Sequence, residues 1–130
     1  MRFYFDENIP GAIARALNEL EKERTDIIVQ STVDVWGKGI KDPQLIEKLN
    51  EVDGILVTND LKMKHNYYEL LKKNGVSAFF IVFPSGVNFE YRYQHVFKIW
   101  EDIKKIARKE KHPFICKIPN RGKPKVEYFK

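Results

Sequence analysis

Three aspartates stand at positions where a parallel α/β chain would gather them. Asp6 follows the apolar run Arg2-Phe3-Tyr4-Phe5, Asp60 follows Ile55-Leu56-Val57-Thr58-Asn59, and Asp42 precedes Pro43 at the start of a helical pattern. Carboxylates collected in one pocket repel one another, which raises their pKa values unless a cation neutralises them. Mg²⁺ or Mn²⁺ suits that task, because hard cations prefer oxygen ligands and keep several waters. A metal held this way polarises a phosphodiester, lowers the pKa of a bound water and steadies the leaving oxygen, and a two-metal version would hold its ions ~3.5–4 Å apart. The chemistry to look for is therefore metal-assisted hydrolysis of a phosphodiester.

Each acid also has a plainer use. Asp6 and Asp60 could each cap the helix that follows, and the local evidence at Asp42-Pro43 favours a cap over a ligand. The two roles are compatible, since a capping carboxylate has a second oxygen. Glu7 and Glu47 read as surface acids, with Glu47 able to support the site from the helix that Asp42 opens. Asn8 and Asn59 are candidates to orient ligands from behind, and Thr58 belongs with them as a supporting group. Lys62, Lys64 and His65 follow Asp60 and could touch a polyanionic substrate, although a plain surface histidine is the simpler reading of His65. Arg121 and Lys123 add cations near the end of the chain. His95 and His112 lack ligand spacing, Trp100 reads as core, and Trp36 is a core plug more readily than a platform for a base.

The elements that must position these residues follow from periodicity. Residues 2–5 form a short apolar strand suited to burial on both faces. Asn8 is a plausible N-cap for a helix opened by Ile9-Pro10, with Ile13, Ala14, Ala16, Leu17 and Leu20 at helical spacing until the pattern fades at residues 21–24. Residues 26–30 carry a second strand, and 31–41 read as a long loop over one end of the sheet. Asp42-Pro43 starts a helix as an acidic N-cap followed by proline. Leu45, Ile46, Leu49 and Val52 give that helix its apolar face, and Gly54 ends it. A third strand runs to Thr58. One helix is expected over 61–73, stopped by Asn74-Gly75, then a fourth strand over 77–83. A long helix over 88–109 carries the stripe Val96, Phe97, Trp100, Ile103 and Ala107. Residues 114–118 and 125–129 alternate like a hairpin around 120–123. Repeated strand–helix–strand units imply right-handed crossovers and a mostly parallel sheet with helices on both faces, closed by an antiparallel hairpin. In such a sheet ligands bind beyond the carboxyl ends of the strands. If the first and third strands are neighbours, Asp6 and Asp60 lie ~4.8 Å apart in strand spacing.

The 130 residues fit a single domain spanning 1–130, with 43% hydrophobic content sufficient for a core. The one cysteine, Cys116, cannot form an internal disulfide and reads as a buried thiol in a reducing compartment. The apolar run at the N-terminus is too short for a signal peptide, and no stretch reaches membrane-spanning length, so a soluble cytoplasmic protein without membrane contact is expected. Net charge is +5 but polarised: residues 1–65 sum to −3 and residues 66–130 to +8. Carboxylates for metal in one half and cations for phosphates in the other suit an enzyme acting on a polyanion, although Lys-rich helices are also simply well solvated.

Phe5-Asp6-Glu7-Asn8-Ile9-Pro10, Asp42 opening Asp-Pro-Gln-Leu-Ile, and Ile55-Leu56-Val57-Thr58-Asn59-Asp60 together resemble the PIN-like domain family, most closely the PIN-like toxin ribonucleases of prokaryotic type II toxin–antitoxin systems. Gly75-Val76 before Phe79-Phe80, a Trp-containing helix, and Pro113-Phe114-Ile115 before the basic Arg121-Gly122-Lys123 extend the likeness over nearly the whole chain. The resemblance implies a three-layer α/β/α sandwich and a Mg²⁺- or Mn²⁺-dependent endoribonuclease. It further implies RNA as substrate, an antitoxin protein as partner, and a homodimer by analogy. By position, Asp6, Asp42 and Asp60 would be the metal-binding, catalytic acids. Many PIN-like domains place a further acid soon after the third strand, whereas here Leu61-Lys62-Met63-Lys64 follows. The acidic set is then three, or is completed by Glu7 or Glu47. That departure sustains a second expectation, a PIN-like module that binds RNA or protein without cutting. A receiver-like phospho-acceptor fits less well, because Phe83-Pro84-Ser85-Gly86 offers no lysine after the fourth strand.

Overall fold

The computed structural model describes residues 1–24 and 26–130. Its order is β1 (Arg2–Phe5), α1 (Gly11–Glu21), β2 (Ile28–Ser31), α2 (Thr32–Trp36), α3 (Asp42–Glu51), β3 (Gly54–Thr58), α4 (Leu61–Asn66), α5 (Tyr68–Asn74), β4 (Ala78–Ile81), α6 (Phe89–Lys109), β5 (Phe114–Ile118) and β6 (Lys125–Tyr128). The six strands form one sheet in the order β2-β1-β3-β4-β5-β6. Every neighbouring pair is parallel except β5–β6, which closes the sheet as an antiparallel hairpin. β1 and β3 are neighbours, with Phe3 opposite Ile55 and Phe5 opposite Val57.

Strand alternation divides the core into two layers. Phe3, Phe5, Ile55, Val57, Phe79 and Cys116 face Ile13 and Leu17 of α1 and Val96, Trp100 and Ile103 of α6. Tyr4, Leu56, Phe80 and Ile115 face Leu45, Ile46 and Leu49 of α3, Met63 of α4 and Leu71 of α5. This is the three-layer α/β/α arrangement expected from the sequence. One glycine is needed for close approach: a Cβ on Gly54 would lie 2.6 Å from the Tyr4 ring. Another is needed for chain reversal, since Gly75 ends α5 with φ 65° in the left-handed region.

Several local expectations are corrected. Pro10, not Asn8, occupies the N-cap position of α1, and no side chain caps that helix. Ala16 and Leu20 face solvent, Leu20 at 59% exposure. Residues 31–41 are not all loop: the Ser31 hydroxyl accepts the Val33 N–H and starts the short helix α2, which Gly37 stops. Asp42 is the first residue of α3 rather than its cap, Lys41 standing before it. The helix expected over 61–73 is two helices that meet at Tyr67. Strands β2 and β4 are 28–31 and 78–81, shifted or shorter than expected. On α6, Phe97 is 39% exposed while His95, Ile99 and Lys104 are buried.

Glu21 and Lys104, both 3% exposed, join α1 to α6 inside the first layer. The Lys104 ammonium and the Trp100 indole N–H both donate to Glu21 Oε2, at 2.9 and 3.1 Å. Cys116 lies wholly buried in the same layer, and burial pushes its thiol up to about 12. Cys116 is accordingly expected to resist a disulfide reagent at pH 8 in the native protein and to react fully once denatured. Rapid native-state labelling, read by absorbance, would contradict this burial.

Candidate active site

Alternation along β1 and β3 places Asp6 on the face of Tyr4 and Thr58 on the face of Leu56. Both therefore point toward the layer that α3 covers, at the carboxyl edge of the sheet. The pairing continues past the strand ends: the Asp6 N–H donates to the Val57 carbonyl at 2.9 Å, and the buried Thr58 hydroxyl donates to Asp6 Oδ2 at 2.8 Å. The Asn8 amide donates to the same oxygen at 3.1 Å, and the Glu7 N–H donates to Asp6 Oδ1 at 2.7 Å. Asn8 thus holds the Asp6 carboxylate instead of capping a helix. Thr58 Oγ1 in turn accepts the Asp60 N–H at 3.0 Å, linking the two acidic strand ends through one hydroxyl. Asp60 caps α4, its Oδ1 accepting the Lys62 N–H at 3.1 Å and its Oδ2 remaining for other partners.

Asp6 is 6% exposed, and burial raises its carboxyl above the ordinary aspartate range. The Thr58 and Glu7 hydrogen bonds oppose that rise, while the charges of Glu7 and Asp60 add to it. Asp42 is also raised, first by burial and then by the charges of Asp6, Asp60 and Glu7. Asp6, Glu7, Asp42 and Asp60 therefore form one electrostatic neighbourhood drawn from β1, the start of α3 and the end of β3. Glu7 also reaches back across the site, its Oε2 accepting the Gly39 N–H at 3.2 Å and so pinning the turn before α3. Asn59 carries a buried Oδ1 without a hydrogen-bond partner.

Other residues singled out in the sequence lie farther from this centre. Glu47 sits exposed on α3, five residues from Asp42 and so on a different helix face. Lys62 and His65 are exposed, and Lys64 pairs with Glu127 of β6 at 3.4 Å. Arg121 and Lys123 occupy the turn of the hairpin. Trp36 stacks on Tyr4 with ring centroids 5.1 Å apart, as a core plug would. His112 is held by Ser77 and the Ala107 carbonyl. His95, set aside for want of ligand spacing, is instead buried on α6 with an unpartnered Nε2. Its signal was positional, a histidine on the inward stripe of an amphipathic helix.

Among the described residues, no three His, Cys, Asp or Glu side chains stand close enough together to grip a metal ion as they are oriented. Each carboxylate is instead turned to a local donor, Asp6 to Thr58, Asn8 and Glu7, and Asp60 to Lys62. By donor chemistry the set fits a hard divalent cation, being all carboxylate oxygen, with Asp6 and Asp42 raised first by burial and then by the neighbouring acids.

A mostly parallel α/β/α sandwich with acids at two adjacent strand ends defines a PIN-like architecture. Residues 1–82 match the family model described as a PIN like domain, and the chain belongs to that family. Comparison with curated proteins and with solved structures finds no match. No helix among the described residues is long and apolar enough to cross a membrane.

Proposed function

We propose that this chain is a Mg²⁺- or Mn²⁺-dependent endoribonuclease, the toxin of a cytoplasmic toxin–antitoxin pair. The observation that carries the reading is the placement of Asp6 and Asp60 at adjacent strand ends, linked through the Thr58 hydroxyl, with the charges of both felt by Asp42 at the start of α3. Burial and the neighbouring acids raise Asp6 and Asp42, a load that a divalent cation would relieve. Asp6, Asp42 and Asp60 would hold the metal, with Glu7 beside them, and Thr58 and Asn8 would fix the Asp6 carboxylate. When bound, the metal supplies Lewis acidity toward the phosphodiester and a water acidic enough to attack it. The antitoxin and a second copy of the chain are partners that the likeness to toxin ribonucleases brings with it.

A second reading, a PIN-like module that binds RNA or protein without cutting, draws on Leu61-Lys62-Met63-Lys64 where a further acid would stand. Cleavage of a mixed single-stranded RNA pool in Mg²⁺ or Mn²⁺, beside an EDTA control, decides between them. Metal-dependent fragments support the nuclease; intact RNA that is nonetheless bound supports the module. Metal binding has its own readout. A divalent ion at 100 times its Kd should stabilise the fold by about 2.7 kcal/mol, seen as a rise in Tm over EDTA that Asp6→Asn removes.

A further inference from the structure

Beyond the family-matched segment, α6 and the β5–β6 hairpin enclose a cavity of about 340 Å³. Because β5 runs parallel to β1 and β3, the turn after Ile118 lies at the same carboxyl edge as the acids. Two strand spacings, about 10 Å, separate β5 from β3. α6 starts from that edge as well, and the Tyr91 hydroxyl donates to Asn120 Oδ1 at 2.7 Å, tying helix to turn. His95, Lys98, Asp102, Asn120 and Arg121 supply the polar lining of the cavity, and Ile99 and Ile118 part of its apolar floor.

Three observations point to a ligand. His95 is 9% exposed, yet its Nε2 has no hydrogen-bond partner. Its ring lies between Tyr91, stacked with centroids 6.0 Å apart, and Phe83, edge-on at 5.8 Å. Burial, then the charge of Lys98, lowers its pKa. Second, Lys98, Lys105 and Lys109 fall within about 40° of one another around the helix, forming one stripe beside the hairpin. Third, among the described residues these three lysines, Arg121 and Lys123 enter none of the molecule's ion pairs. Asp102 is the single acid on that stripe and leaves it strongly cationic.

We propose that this groove, lined by His95, Lys98 and Arg121, binds the phosphates of a single-stranded polyribonucleotide outside the cut. A row of cations along a groove tracks a phosphate backbone without reading its sequence. The ligand class rests on the nuclease reading; the groove itself does not. The test is fluorescence anisotropy of a labelled single-stranded oligoribonucleotide on the full chain, in EDTA, across a salt series. Lys98→Ala/Arg121→Ala alters two exposed side chains, so far-UV circular dichroism should be unchanged. Affinity should fall about tenfold or more, and the slope of log K against log salt should become shallower by about 1.4, for two lost phosphate contacts. The His95 Nε2 resonance should move when RNA is added. Wild-type affinity and slope in the double variant overturn the proposal, as does an unmoved His95 signal. So does a wild type that ignores RNA but holds polyglutamate through Lys98 and Arg121, since the groove would then seat an acidic polypeptide. Cleavage in Mg²⁺ that is indifferent to the double variant removes the groove alone. Groove-dependent binding without any cleavage removes the nuclease alone.

Discussion

Asp6→Asn should lower metal-dependent RNA cleavage by about 10³-fold or more while leaving the fold intact. A metal-bound transition state is worth several kcal/mol, and each 1.36 kcal/mol is a factor of ten in rate. Asparagine keeps an oxygen for the Glu7 N–H and the shape of the side chain, so circular dichroism should match wild type. Thr58→Val and Asn8→Ala remove groups that only hold the carboxylate, and their losses should be about 10–100-fold. A flat series, with all three variants near wild type, would remove Asp6 from the reaction.

The same variant makes a pH prediction. Because Asp6 is raised in the folded protein, the native state binds more protons than the unfolded chain between ~3.9 and the raised value. Stability from this group is therefore present at low pH and lost as pH climbs through that window. In EDTA the Tm of Asp6→Asn minus that of wild type should rise with pH across the window and level off above it. A difference that falls with pH would mean that Asp6 is not under the strain described.

Lys104→Met should cost about 3–5 kcal/mol, because it removes the buried ammonium that pairs with the Glu21 carboxylate. For a chain of this size the Tm should drop by roughly 10–20 °C. Trp100 still donates to Glu21, which places the loss toward the lower figure. The double change Glu21→Leu/Lys104→Met removes both charges and should recover most of the stability. Thermal denaturation of Glu21→Leu, Lys104→Met and the double variant measures the coupling, and additive losses would show that the pair is not the unit described.

Much of this was readable from the residues, for reasons that separate the successes from the misses. β1 and β3 are continuous apolar runs that end in acids, and strand parity alone turns Asp6 and Thr58 toward the helix that Asp42 opens. The hairpin was legible because alternation on both sides of Asn120-Arg121-Gly122-Lys123 has few other interpretations. By contrast α2 is a single turn-and-a-half containing three β-branched residues, too short for periodicity, and it exists because Ser31 caps it and Gly37 ends it. The break at Tyr67 separates two helices whose patterns run together in the sequence. Phe97 fell on the apolar stripe of α6 but meets Tyr93 at the rim, at 5.9 Å between ring centroids, rather than the sheet. Glu21 and Lys104 were invisible as a pair, since only the crossing of α1 and α6 brings residues 83 positions apart together.

The Trp100 ring packs edge-on against Phe3 at 4.9 Å and tilted against Phe5 at 6.0 Å, the two residues that lead into Asp6. That contact has a temporal meaning. During synthesis β1, β3 and all three aspartates leave the ribosome well before α6, so the acids exist as sequence long before they are held as a site. Until α6 arrives, the face of β1 and β3 that it shares with α1 is only partly covered, and the strand pairing that aims Asp6 at Thr58 lacks the Trp100 side of its support. On the nuclease reading, the nascent chain should be inert toward the message being translated, and cleavage should appear only once the last third is made.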